Sequence, residues 1–387
     1  MRHSPTWKHA LALLSIAVLL LSGCGNSDQG GSAAPSSSAG FDAAAYFKGK
    51  TIRFIVSHDA GGGADQAGRA FAGALGDLLP GKPRVTVTNN PGMSGIRDAL
   101  DAPESDLVVG VTSLGANLYQ PILDPENTYD PKGVQIIGGV SPEPRGALVA
   151  GDFAKQYPAM MDAVGKTDAP IRFAGTVGGP ADVISESMLA PWVCEHLKLP
   201  CDMISVAGDT SADTELMLQR GEVNSNFTSI GAISRSHRSI IDDRSGYVAF
   251  TYEDTSSTIN YPQGLAPAPH LVDLIPADAK AQWDLIQPLV TGGGIGKTFW
   301  MGASAPKDVV AAIRQAYTDF TKDPKLYDPF IKAQAGGGSE GGITFELTPV
   351  LGDDGQKLYD ASTDTFLSNR EEYGKIQSEL YDKYWKK

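Results

Sequence analysis

The chain has 387 residues, which is enough for two domains of ordinary size. Its formal net charge of −13 at pH 7 argues against nucleic-acid binding and against direct adhesion to anionic lipid. An anionic ligand would therefore have to be captured by local fields rather than by attraction to the whole molecule.

The N-terminus has the pattern of an export signal. Arg2 and Lys8 supply positive charge, and residues 11–21 form an apolar segment too short to anchor stably in a bilayer. Small residues then precede Cys24, which resembles a bacterial lipoprotein signal, where the cysteine is lipidated and becomes the first residue. We therefore predict a signal peptide over 1–23 and lipidation at Cys24, with a plain secretory peptide as the alternative.

The segment after the signal is rich in Gly, Ser, Ala and Pro. This composition predicts a flexible tether over residues 24–45 rather than a folded element. No later run approaches the length of a membrane span, so membrane contact is expected through the lipid alone.

A strand that runs into three glycines opens the folded part of the chain. Residues 51–56 are β-branched and aromatic, Gly61 to Gly63 follow, and apolar residues then recur at helical spacing from Ala67. The first N–H groups of such a helix lack partners, and glycine lets a ligand approach the backbone closely. The pattern predicts an anion site without Arg or Lys. The alternative is an ordinary strand-to-helix turn.

Further predicted strands alternate with helices, which favours a largely parallel α/β sheet with a ligand crevice at the strand ends. Their ranges are 84–88, 107–111, 134–140 and 146–149. The predicted strand at 107–111 leads into Ser113. The proline-bearing link at residues 141–145 is interpreted as a crossover between two lobes.

The strand, glycine turn and helix start recur about 115 residues later. Residues 171–174 are the strand, residues 175–179 contain the glycines, and Pro180 occupies a natural first helical position. Two such copies favour two opposed helix ends that bind one anion.

The remaining chain returns to the first lobe. Strands are predicted at 202–206, 223–227, 246–252 and 297–302, with Thr228 and Ser229 at the end of the second. The proline-rich segment 261–270 is the predicted return link, and the tail from Leu347 is predicted to be helical and to pack on the first lobe.

Two cysteines remain after the signal, Cys194 and Cys201. An exported protein meets oxidising conditions, so a local disulfide is favoured. A zinc site is the alternative, with His196 as the sole nearby candidate ligand.

No catalytic constellation is evident. His58 is next to Asp59, but adjacent residues at a strand end point apart and no nucleophile is placed by the sequence. Residues 292–298 are similar to a P-loop, yet Thr291 stands where that motif needs glycine. We therefore predict neither an enzyme nor a cofactor or metal requirement.

The order of the motifs resembles the extracytoplasmic solute receptors of tripartite tricarboxylate transporters, also called Bug proteins. The matching segments are residues 52–56 (IRFIV), 60–65 (AGGGAD), 89–95 (NNPGMSG), 174–178 (AGTVG), 219–223 (QRGEV) and 300–306 (WMGASAP). The resemblance implies an α/β, two-lobed fold of the type II periplasmic binding proteins, a Venus flytrap with a hinge. On that basis the first lobe comprises 46–140 and 265–387, and the second lobe comprises 141–264.

The resemblance also implies a function. Such receptors close on a small carboxylate, hold it through backbone amides and hydroxyls of the two glycine loops, and deliver it to membrane subunits. We expect this chain to be a monomer. The implied ligand-binding residues are Ala60, Gly61, Gly62, Gly63, Ala64, Asp65, Ser94, Ser113, Gly175, Thr176, Val177, Gly178 and Thr228. Asp65 would bond loop amides or a donor on the ligand, because an unpaired carboxylate would oppose anion binding.

The chain departs from the family at two of these positions. Ala60 stands where the family usually has proline, and Thr228 where it often has aspartate. A flytrap receptor of another class is therefore the alternative, taking an amino acid, phosphonate or sulfur anion through arginines such as Arg145 or Arg172. An exported enzyme is the third hypothesis.

Overall fold

The computed structural model describes residues 40–113, 130–206, 211–252, 258–291, 293–335 and 342–386. The predicted signal peptide, Cys24 and most of the predicted tether lie outside these ranges. The predicted end of the tether at residue 45 is wrong, because a helix, Ala43–Phe47, begins within it and is capped by the Asp42 side chain. Within them the chain forms eleven strands and fourteen α-helices.

The strands are β1 Thr51–Val56, β2 Arg84–Asn89, β3 Leu107–Ser113, β4 Gln135–Val140, β5 Arg145–Ala150, β6 Ile171–Gly175, β7 Cys201–Ser205, β8 Ser225–Ser229, β9 Gly246–Thr251, β10 Lys297–Met301 and β11 Pro349–Leu351. The helices are α1 Ala43–Phe47, α2 Gly63–Leu78, α3 Met93–Leu100, α4 Gly151–Gln156, α5 Ser185–Leu197, α6 Ser211–Arg220, α7 Ile230–Ser236, α8 Arg238–Asp242, α9 Leu271–Leu274, α10 Lys280–Thr291, α11 Lys307–Lys322, α12 Pro324–Gln334, α13 Gly352–Ser368 and α14 Arg370–Leu380.

The first lobe is built on a six-stranded sheet in the order β11-β4-β10-β3-β1-β2. Strand β1 pairs in parallel with β2 and β3, as predicted from the alternation of strands and helices. Strand β10 instead pairs antiparallel with β3 and β4. The prediction of a largely parallel sheet therefore holds for β1, β2 and β3, but it is wrong for the half that contains β10 and β11, which run antiparallel to the strands beside them.

The second lobe contains an antiparallel sheet in the order β8-β5-β9 and a parallel pair of β6 and β7. Hydrophobic packing continues between the two lobes. Ile55 of β1 and Val149 of β5 belong to one buried cluster, while Phe54 and Leu148, which point to the opposite faces, belong to another. The fold is thus two-lobed and mixed α/β.

A disulfide joins the end of α5 to the start of β7. It links Cys194 to Cys201, whose Cα atoms are 6.1 Å apart. The predicted local disulfide is confirmed, and the zinc alternative loses both of its sulfur ligands.

The C-terminal segment is helical as predicted, but it contacts both lobes. Helix α13 packs on β4 and β11 of the first lobe, whereas α14 packs against α5. A final π-helical turn, Tyr381–Trp385, lies on β7. The predicted packing on the first lobe alone is therefore wrong, because the buried residues Tyr373, Ile376 and Leu380 give α14 an apolar stripe that the second lobe covers.

We found no helix in the described ranges with both the length and the apolar character needed to cross a bilayer.

Candidate ligand-binding site

The candidate site lies at one edge of the six-stranded sheet. The ends of β1 and β3 and the start of β10 meet there, since Lys297 pairs with Ser113 across the antiparallel register. The first glycine turn leaves β1 at this same edge. Ligands of open α/β sheets bind in crevices at such strand ends.

The first turn ends at the N-terminus of α2. Gly61 has φ +85°, a conformation that L side chains rarely adopt, and Gly62 is the N-cap of α2. The N–H groups of Gly63, Ala64 and Asp65 have no acceptor among the described residues. Ala64 and Asp65 are buried, and buried backbone donors are rarely left without a partner. These three amides are therefore available to an anion.

Asp65 fastens this turn from inside. Its carboxylate accepts from the Gly61 N–H at 2.8 Å, from Asn89 Nδ2 at 2.9 Å and from Arg69. Burial alone would raise the pKa of Asp65, but hydrogen bonds from Arg69, Gly61 and Asn89 bring it below its ordinary value. Asp65 bonds a loop amide, as one of the two sequence-based interpretations expected.

The second turn is closed in a similar way. The N–H groups of Gly178 and Gly179 donate to Asp182 Oδ2 at 2.9 and 3.0 Å. Pro180 occupies a first helical position as predicted, but it opens only a 3₁₀ turn, Pro180–Asp182, and the α-helix expected to continue from it, α5, begins at Ser185. Because a carboxylate of the chain already occupies these amides, the second turn offers fewer donors than the first.

The other candidates of the second turn differ in exposure. Thr176 and Gly178 are exposed and Val177 is buried. A Cβ added at Gly175 would lie 2.8 Å from Ser187 Oγ and 2.9 Å from the ring of Trp385, so this glycine is needed for close packing.

The hydroxyl candidates lie on different elements. The backbone N–H of Ser113 donates to His58 Nε2 at 3.2 Å, which ties β3 to the first turn. Ser94 on α3 is exposed and donates to Asn90 Oδ1 at 2.6 Å. Thr228 is partly buried on β8 opposite Gly146. Of Ser94, Ser113 and Thr228, it is Ser113 that forms a hydrogen bond with a residue of the first turn.

A short link connects the surroundings of both turns. Glu143 forms an ion pair with Lys297, which lies against Gly63 of the first turn. Two residues later, Arg145 forms an ion pair with Glu186, near the start of α5 and just beyond the second turn. The crossover between the lobes thus carries one charged contact toward each turn.

The arginines of the alternative receptor hypothesis are already engaged. Arg145 also donates to the Tyr252 hydroxyl at 3.2 Å. Arg172 donates to the carbonyl oxygens of Gly221 and Glu222. Both guanidinium groups therefore serve contacts within the chain.

Sequence reasoning missed a buried charged group beside the first turn. Lys297 is 8% exposed and its partner Glu143 is 5% exposed. Burial lowers the pKa of Lys297, to about 7, while contact with the Glu143 carboxylate favours the ammonium form. The sequence signal was weak, since Lys297 opens a strand that is otherwise apolar.

Solved structures with the same architecture cover most of the chain. A TctC solute-binding protein from Polaromonas is 17% identical, with a TM-score of 0.52 over 85% of this chain and 98% of the other. The periplasmic binding protein BugD is also 17% identical, with a TM-score of 0.53 over 86% and 97%. A protein from R. palustris, solved with adipate, is 11% identical, with a TM-score of 0.57 over 85% and 97%.

The chain has the fold of a periplasmic solute-binding protein. The resemblance seen in the sequence motifs is thereby confirmed at the level of the fold. The first two neighbours are named as a solute-binding protein and a periplasmic binding protein. No protein-family model and no curated protein sequence matches the chain.

In this solute-binding fold, His58 is expected to make the first turn sensitive to acid. Burial and then the positive charge of Lys297 lower the pKa of His58 to about 4, against about 6.5 when unfolded. Because the folded pKa is lowered, the stability that the neutral ring contributes is complete above about pH 6.5. It is lost as the pH falls towards 4, when protonation of Nε2 breaks the bond from Ser113.

The measurement is urea unfolding of wild type and His58→Gln at pH 7 and pH 4.5. Glutamine can accept the Ser113 hydrogen bond without titrating, so the wild type should lose about 2 kcal/mol more stability than the variant between these pH values. Equal losses in both proteins would contradict the role given to His58.

Proposed function

We propose that this chain is an extracytoplasmic receptor, anchored by lipid at Cys24, that captures a small carboxylate and delivers it to the membrane subunits of a tripartite transporter. The observation that carries the proposal is the start of α2. Three amides that have no acceptor among the described residues, those of Gly63, Ala64 and Asp65, lie at the edge of the sheet where β1 ends, in a chain with a solute-binding fold.

Oriented amides supply part of the binding free energy for this role. Each charge-assisted hydrogen bond to a carboxylate contributes on the order of 1.5–3 kcal/mol. Three such bonds contribute roughly 5–9 kcal/mol before the cost of immobilising the ligand, so micromolar affinity, near 8 kcal/mol, requires charged, hydroxyl or water contacts in addition. A dicarboxylate is supported as ligand class by the neighbour that holds adipate.

The proposal includes motion between the lobes. The first lobe comprises 46–140 and 265–387, the second comprises 141–264, and the proline-bearing segments 141–146 and 261–270 act as hinges. A ligand that contacts both lobes stabilises the closed arrangement by its additional contacts.

The test is a thermal-shift and calorimetry screen of the folded chain at pH 7. The panel contains adipate, malate, adipamide as the neutral control, an amino acid, a phosphonate and a sulfonate. A carboxylate at 1 mM with micromolar affinity should stabilise the protein by about 4 kcal/mol, whereas adipamide should not.

The pattern of responses separates the hypotheses. Binding confined to the amino acid, the phosphonate or the sulfonate would overturn the carboxylate proposal and favour a flytrap receptor of another class. Chemical turnover of any compound would favour an enzyme.

A further inference from the structure

A buried polar cluster lies directly behind the first glycine turn, between the two lobes. It consists of Glu143, Arg235, Lys297 and Gln334. Gln334 is fully buried, and Glu143 and Lys297 are more than nine-tenths buried. The cluster joins the crossover, β10 and α12 to helix α7 of the second lobe.

The end of the Lys297 side chain lies beside Gly63, the first residue of α2. A Cβ added at Gly63 would lie 2.9 Å from Lys297 Cε and 3.2 Å from Nζ. Gln334 holds the same glycine, since its Nε2 donates to the Gly63 carbonyl oxygen at 3.1 Å. The ammonium group is therefore adjacent to the amides of Gly63 and Ala64 that are available to an anion.

Glu143 and Arg235 approach one point on the second lobe. A Cβ added at Gly231 would lie 3.2 Å from Glu143 Oε2 and 3.0 Å from Arg235 Nη1. Arg235 donates to the carbonyl oxygen of Gln334 at 3.1 Å, and no carboxylate in the described ranges is within ion-pair distance of it. A small rotation of the Glu143 side chain would bring its carboxylate to this guanidinium.

The cluster has unbalanced charge and unfilled acceptors. The contact with the Glu143 carboxylate favours the ammonium form of Lys297 against the effect of burial, so Lys297 and Arg235 are the cations of the cluster and Glu143 is its one anion. The low pKa of His58 keeps that ring neutral at pH 7. Apart from the ion pair, neither oxygen of Glu143 accepts a hydrogen bond from the described residues, and the same holds for Gln334 Oε1. A buried cation without a carboxylate partner is costly, so the excess positive charge of the cluster favours one additional anion, whereas the unfilled acceptor oxygens need donors.

We propose that Lys297 is the charged contact for the carboxylate of the ligand, with Glu143 as its resident substitute. On binding, the ligand carboxylate replaces Glu143 beside Lys297 and accepts hydrogen bonds from the amides at the start of α2. The displaced Glu143 side chain rotates and forms an ion pair with Arg235. The inference rests on the proposed function and adds the side chains that select an anion over a neutral solute. Every charge in the cluster then has a partner.

Titration calorimetry of the folded chain with adipate at pH 7 tests the exchange. Glu143→Gln removes the competing carboxylate with little change in shape, and affinity should rise about tenfold. Lys297→Met should lower the affinity for adipate at least tenfold. The double variant Glu143→Gln with Lys297→Met should bind equally weakly, and because it has no unpaired Glu143 carboxylate, its low affinity would be due to the missing ammonium group. Arg235→Gln should also weaken binding, because the displaced Glu143 would lack a cation.

The sign of the Glu143→Gln effect separates this role from a purely structural ion pair. If that variant is folded and its affinity is unchanged or lower, the inference is overturned while the proposed function stands. If the Glu143→Gln variant does not fold, the Arg235→Gln variant provides the test, and an affinity for adipate equal to that of wild type in this variant overturns the inference. A wild-type chain that binds no carboxylate of the panel overturns the proposed function and this inference together.

Discussion

Replacing Gly62 by aspartate is expected to abolish carboxylate binding and to leave the fold intact. Gly62 is the N-cap of α2 with φ −71° and ψ 170°, which any L residue can adopt. A Cβ there would meet a single neighbouring atom, the Asp59 carbonyl oxygen at 3.5 Å. An aspartate at an N-cap accepts from the N–H groups two and three residues on, which here belong to Ala64 and Asp65. The new carboxylate would therefore occupy the amides assigned to the ligand.

The measurement pairs calorimetry with thermal unfolding for Gly62→Asp and Gly62→Ala. Alanine fits the same space but cannot accept a hydrogen bond, so it should keep affinity within a few-fold of wild type. The aspartate variant should lose at least 100-fold in affinity, while its stability stays within about 1 kcal/mol of wild type. Retained affinity in a folded Gly62→Asp protein would show that the ligand lies elsewhere.

Of the substitutions proposed for this chain, Trp385→Ala is expected to lower the free energy of unfolding most. The Trp385 ring is 5% exposed, packs edge-on to Phe173 with centroids 6.2 Å apart, and lies against Gly175. Its Nε1 donates to the Ser187 carbonyl oxygen at 3.1 Å. Removing a buried tryptophan ring costs about 3–5 kcal/mol, because the cavity persists beside β6.

Urea unfolding measures this effect, with Lys386→Ala as the matched control. Lys386 is the next residue and pairs with Asp382 at the surface, so its removal should change stability by less than about 0.5 kcal/mol. A loss below about 1 kcal/mol for Trp385→Ala would contradict the role of the terminal turn as a cover for the second lobe.

Strands were predictable wherever a buried apolar run ended at a turn residue. Residues 51–56 form β1 with the predicted bounds, because Ile52, Phe54 and Val56 face the core and glycines follow. Strand β11 was missed since it has three residues, begins with Pro349 and exists through pairing with the edge of β4. Such a strand depends on tertiary context more than on local propensity.

The candidate site was predictable where it depends on residues close together in the sequence. The glycines mark the positions of both turns in the sequence. Asp65 follows Gly61 at a spacing that lets its carboxylate accept a hydrogen bond from the Gly61 N–H. The matching role of Asp182 at the second turn was overlooked, although it has the same spacing from Gly178. The pairing of Glu143 with Lys297 joins residues distant in the chain, so no local pattern reveals it.

The most direct test of the central claim is a crystal structure of the chain with the carboxylate that binds most tightly in the screen. We expect a carboxylate oxygen within hydrogen-bond distance of the Gly63 and Ala64 amides, with the Lys297 ammonium beside it. A carboxylate bound away from the start of α2, with these amides still lacking an acceptor, would contradict it.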